Sequence, residues 1–126
     1  MHPDQMNPGN LFEISGYYWK TCTLHAAVKL DLFTALGSRQ LTADEAARHM
    51  NGDPRAVAML LNALVAMDLL EKTGDLFANS PVAREFLSKE SKRYIGYMIM
   101  HHHHLVQSWA QLDVAVKTGQ PTRGDA

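Results

Sequence analysis

A chain of 126 residues with 46% hydrophobic content supplies one core and is too short for two. Its formal charge of -1 gives no global cationic field to draw in nucleic acid or an anionic membrane, so any such role needs a local patch. The single cysteine, Cys22, excludes an intrachain disulfide and a cysteine-based zinc site, and no apolar run approaches the length of a signal or membrane segment; a soluble, cytoplasmic protein is expected.

Residues 1–10, MHPDQMNPGN, carry two prolines and a glycine with no apolar period and are expected to form a flexible lead-in. A helix is predicted from Leu11 to Leu30 with Asn10 as its N-cap. Leu11, Ile14, Tyr18 and Cys22 fall on one line of this helix, and Phe12, Trp19 and Ala26 on another. A helix apolar on two sides must bury both, and a domain this small offers one core, so the spare face calls for a partner.

LDLFTALG predicts a short helix closed by Gly37. In LTADEAARHM, Thr42 and Glu45 have the spacing of a capping box, with Leu41 and Ala46 placed as a small hydrophobic staple, so a helix starts at Thr42. After an Asn-Gly turn, Asp53 is the N-cap and Pro54 the first residue of a second helix, in which Val57, Leu60, Leu61 and Leu64 recur at helical spacing. LLEKTGDLFANSP alternates about a Gly-Asp centre and predicts a hairpin. Helix, turn, helix and hairpin in this order define a winged helix, mainly α, over residues 11–90; SPVAREFL opens a further helix with Ser80 as cap and Pro81 behind it.

The last long helix is predicted from about Ser91 to Val116, within a segment 91–118 that leads to a linker at 119–126. Ile95, Met98, Ile99, Leu105, Val106, Trp109, Leu112 and Val116 recur at steps of three and four and form one stripe. Within the histidine run His101 to His104, His102 lies in the middle of that stripe, His101 and His103 on its flanks and His104 nearly opposite. Only His101 and His104 have a spacing that could hold a metal together, and nothing acidic or thiol-bearing stands one turn away, so no metal site is assigned. A histidine on an apolar face is more often a hydrogen-bonded core residue than a ligand.

A winged helix raises the possibility of a small transcriptional regulator. The helix that would read DNA, Pro54 to Met67, offers only Arg55 and Asn62 among alanine, valine, methionine and leucine, and the hairpin tip balances Lys72 with Glu71 and Asp75. No nucleic-acid partner is expected.

LHAAVKLDLFTAL, LTADEAARHMNGDPRAVAMLLNALVAMDLLEKTGDLFANSPVAREFL and WAQLDVAVKTGQP together resemble the N-terminal region of the S-adenosylmethionine-dependent O-methyltransferases of plant and bacterial small-molecule type, over about Leu11 to Pro121. The resemblance implies a winged-helix domain used for homodimerisation through its first helix and for capping the substrate, an aromatic or polyketide-like molecule whose hydroxyl is methylated. It implies Met98, His102 and Trp109 as substrate-pocket residues, with Tyr18 an additional aromatic that could come from the partner subunit. Asp68 stands where the family usually has glycine, which implies a different approach to the hairpin.

In that family methyl transfer takes place in a following Rossmann-like domain, with a glycine-rich loop for the cofactor. No two of the eight glycines here have the spacing G-x-G, so this chain alone is expected to be inactive and to bind no S-adenosylmethionine; no catalytic, cofactor-binding or metal-ligating residue is assigned within it. The chain reads either as part of a longer enzyme or as a free-standing relative.

Overall fold

The computed structural model describes residues 5–122; residues 1–4 of the expected lead-in and 123–126 of the expected linker lie outside the described residues. Helix α1 spans Pro8–Ser15 and starts earlier than the apolar pattern suggested. Asn7 is its N-cap: the Asn7 side chain accepts from the Asn10 amide at 3.1 Å, and the Asn10 side chain accepts from the Asn7 amide at 2.9 Å. Asn10 is therefore the reciprocal partner in a capping box, not the cap. The helix expected over Leu11–Leu30 is two helices, because α1 ends at Gly16 and α2 runs Tyr18–Lys29. At the joint the amides of Tyr17 and Trp19 bond three residues back, to Ile14 and Gly16, which tightens the turn and re-aims the chain. A Cβ at position 16 would lie 3.0 Å from the Trp19 ring, so glycine is what lets that ring fold over the joint.

Helix α3 (Leu32–Leu36) closes at Gly37, whose φ of 52° suits glycine, and its Leu32, Phe33 and Leu36 are fully covered. Helix α4 (Ala43–Met50) starts at Thr42 with the expected capping box formed: the Glu45 amide donates to Thr42 Oγ1 at 3.2 Å and the Thr42 amide to Glu45 Oε1 at 2.9 Å. Helix α5 (Pro54–Ala66) is capped by Asp53, and its buried Val57, Leu61 and Leu64 meet α4 and α2. Burying such side chains contributes roughly 1.5 to 3 kcal/mol each, and α3 and α5 together supply six of them.

Strands β1 (Leu70–Thr73) and β2 (Leu76–Asn79) pair antiparallel, Thr73 opposite Leu76, about Gly74-Asp75, and Leu41 pairs with Phe77 to tie the start of α4 to the wing. Asp68 takes the left-handed conformation itself, with φ of 62°, so the turn before the hairpin is kept despite the missing glycine. Helix α6 (Pro81–Phe86) is capped by Ser80. The result is a mainly helical winged helix with one two-stranded wing.

The last long helix is also divided. Helix α7 covers Gly96–Trp109 and α8 covers Leu112–Thr118; residues 91–95 precede α7 as turns, anchored where the Ile95 amide donates to the Phe86 carbonyl at 2.8 Å. The Tyr94 ring lies over Gly96 and leaves no room there for a side chain. Between the helices the Gln111 amide bonds back to Ser108 and ends the regular ladder. Helix α7 packs on α2, and the residues it turns inward are Ile99, Met100, His103 and Val106.

Candidate functional site

The break at Gly16 resets the helical wheel, so the inner face of α2 is neither of the two apolar lines of the sequence. It consists of Leu24, His25, Ala27 and Val28, while Cys22 is exposed. His25 is only 5% exposed, and its Nδ1 is buried without a hydrogen-bond partner. Its ring meets that of His103 edge-on, with centroids 5.4 Å apart and planes at 82°. Burial first, and then the neighbouring charges of His103 and His102, push the His25 imidazole below its ordinary range.

This contact corrects the reading of the histidine run. His103 is half-buried against α2, whereas His102, expected in the middle of the apolar stripe, is exposed. The inner face is displaced by one residue, about 100° of helix, from the predicted centre. Ring contacts also join His101 to His102 and His103 to His104, yet among the described residues no three His, Cys, Asp or Glu side chains gather as a metal would require.

Beside the His25–His103 contact, α2 and α7 leave a cleft of about 400 Å³, walled by Thr21, Leu24, His25, His102, Leu105 and Trp109. Two of the four sequence-predicted pocket residues, His102 and Trp109, thus meet on one cleft. Met98 and Tyr18 are exposed outside it, Tyr18 lying edge-on to Trp19 at 5.7 Å. A larger hollow of about 460 Å³ near Asn79, Arg84 and Ser88 contains none of them. His25 escaped the sequence reading because a histidine interrupts an apolar count; the signal that marks it is its register with Val28, visible once the helix is started at Tyr18 instead of Leu11.

A second feature is apolar surface left open. Leu11, Phe12, Ile14, Tyr17, Tyr18 and Trp19 are each 50% to 74% exposed, and no residue of α1 is buried. On α5 the outward residues are Pro54, Arg55, Ala56, Met59, Asn62, Ala63 and Ala66. Lys72 of the wing is engaged within the fold, donating to Asn62 Oδ1 at 3.0 Å and lying 5.1 Å from the centre of the Phe77 ring.

The comparisons with known proteins agree with this architecture. The family model of the O-methyltransferase dimerisation domain matches residues 12–89, and the chain belongs to that family. It is 34% identical to the tetracenomycin polyketide synthesis 8-O-methyl transferase TcmO of Streptomyces glaucescens, with 98% of this chain and 38% of that protein covered. It is also 32% identical to the 3-hydroxy-5-methyl-1-naphthoate 3-O-methyltransferase of Streptomyces sahachiroi, with 96% of this chain and 35% of the relative covered. Among solved structures, an O-methyltransferase family protein from Burkholderia thailandensis superposes with a TM-score of 0.85 at 29% identity, covering 93% of this chain and 35% of that one. The structure of PigF with SAH gives a TM-score of 0.82 at 26% identity, over 89% of this chain and 33% of that one. The chain spans about a third of the length of the relatives it matches. Among the described residues no helix is long and apolar enough to cross a membrane.

Proposed function

We propose that this chain serves as the dimerisation and substrate-capping domain of an S-adenosylmethionine-dependent, cytoplasmic methyltransferase that modifies a hydroxyl of an aromatic or polyketide-derived small molecule. The observation that carries this reading is the open apolar surface of α1 and the first turn of α2. Each of its large side chains would contribute roughly 1.5 to 3 kcal/mol if covered, so a few suffice to hold a symmetric homodimer built on these helices. Domain boundaries at 11–90 and 91–118, followed by a linker from 119, belong to this assignment: the winged helix, with α1 reaching back to Pro8, associates, and α7 presents Met98, His102 and Trp109 to the substrate. Tyr18, exposed near the dimer-forming surface, is suited to reach a partner's substrate.

The names of the relatives, one acting in tetracenomycin polyketide synthesis and one on a hydroxynaphthoate, support a polycyclic aromatic substrate. PigF was solved with SAH, which supports the cofactor. The residues of this chain do not themselves fit that cofactor: its eight glycines include no G-x-G spacing, so it is proposed neither to bind S-adenosylmethionine nor to transfer methyl groups alone. The regulator reading has less support, since α5 presents Arg55 and Asn62 among alanine and methionine, and Lys72 is already engaged.

The test is methyl transfer by the full-length gene product to a polyhydroxylated naphthalene or anthracene. His102→Ala is expected to raise KM while melting temperature holds, and His104→Ala to change neither. An effect of His102→Ala on melting temperature alone would make the residue structural. Absence of transfer to any such acceptor, with nanomolar duplex binding lost on Arg55→Ala, would establish the regulator instead.

A further inference from the structure

We propose that the cleft between α2 and α7 is a binding site for an aromatic anion, a carboxylate or an acidic phenol, and that His25 recognises the charge. Helices α2 and α7 contain between them two lysines and five histidines, and no aspartate or glutamate. The cleft is therefore free of fixed negative charge on both walls. Trp109, Leu105 and Leu24 provide surface for a planar ring, and the volume of about 400 Å³ accommodates a fused two-ring compound.

His25 has what a charge-reading residue needs. It is almost wholly buried at the cleft, and its Nδ1 is orphaned. A buried polar atom without a partner is costly, and one bordering a binding cleft is relieved when the protonated ring donates to an anion there. Of the elements packed on α2, α3 has no titratable residue, and α5 has only Arg55 in its exposed first turn. Helix α7 contributes His102 and His103, whose positive forms oppose a charge on His25 as burial does. An anion in the cleft reverses both effects. It offsets the desolvation of a protonated imidazole and turns mutual repulsion of the histidines into shared attraction, so ligand binding and proton uptake become one event.

The aromatic part of this ligand rests on reading the cleft as a substrate wall; the charge preference does not. Titration calorimetry of this chain with 2-naphthoate and with neutral 2-naphthamide, between pH 6 and 8, separates the two. The expected result is that naphthoate binds more tightly than the amide, with affinity rising by up to about tenfold per unit fall in pH and an uptake approaching one proton in buffers of different ionisation enthalpy. His25→Gln should abolish the uptake and the preference for naphthoate, and exposed His104→Gln should keep both. Proton uptake by the unaltered protein needs no variant, so a poorly folding His25→Gln protein leaves the test intact. Equal binding of the two probes overturns the anion site and leaves the substrate wall standing; no binding of either overturns both. Uptake that survives in a folded His25→Gln protein overturns the assignment to His25.

Discussion

Asn79 gives the sharpest test of how the wing is fixed to the core. It ends β2, is 2% exposed, and its Nδ2 donates to the carbonyls of Phe33 at 2.8 Å and Gly37 at 2.9 Å, closing the C-terminal end of α3. In Asn79→Ala two hydrogen bonds are lost, worth about 1 kcal/mol each. Phe33 O keeps the Gly37 amide as a partner, but Gly37 O loses the donor that reaches it from Asn79, which adds about 1 to 3 kcal/mol for a carbonyl left dry. Asn79 Oδ1 is itself buried without a partner, so its removal returns about 1 to 2 kcal/mol. The net loss is roughly 1 to 4 kcal/mol, read as a lower midpoint in urea denaturation followed by circular dichroism at fixed protein concentration. Asn79→Asp retains the shape but sets a carboxylate against two carbonyl oxygens. It should be worse than alanine near neutral pH and recover in acid, when protonation restores one donor. If aspartate is tolerated better than alanine at neutral pH, the donor assignment is wrong.

Asp68→Gly should stabilise the domain by about 0.5 to 1 kcal/mol, a rise of several degrees in melting temperature, because Asp68 holds a left-handed φ of 62° that glycine adopts without a Cβ penalty. Thr42→Ala should remove about 1 kcal/mol by uncapping α4, as measured in the same denaturation experiment. Hydrogen bonds from the Thr42 backbone and side chain hold the Glu45 carboxyl below its ordinary range. Its contribution is therefore present above the unfolded value and lost as pH falls through the folded one, and Glu45→Gln should flatten the acid limb of the stability profile. Phe12→Ser with Trp19→Ser should convert a dimer to a monomer in sedimentation at micromolar concentration, leaving helix content unchanged because neither side chain is buried in the chain; a dimer that survives both changes would place the interface elsewhere.

What the sequence made legible were elements with a local chemical signature. Thr42 with Glu45, Asp53 with Pro54, Ser80 with Pro81 and the Gly74-Asp75 turn each satisfy backbone groups within a few residues, and each is formed as read. Asn7 with Pro8 is the same kind of signal, an N-cap followed by proline in the first turn. It was hidden because two prolines and a glycine in ten residues also read as loop. The helix joints were harder for a physical reason. Gly16 remains compatible with a continuing helix, and Ala110-Gln111 contains neither proline nor glycine, so nothing local forces either break. Each joint instead re-aims a helix whose exposed side chains find no cover within the chain, and a wheel drawn across it assigns the wrong inner face. That is why the apolar pattern runs through Cys22 and misses His25, and why it sets His102 inward in place of His103. The same displacement leaves His102 and Trp109 outside the core but beside His25, an arrangement in which residues unneeded for packing remain free to meet a ligand.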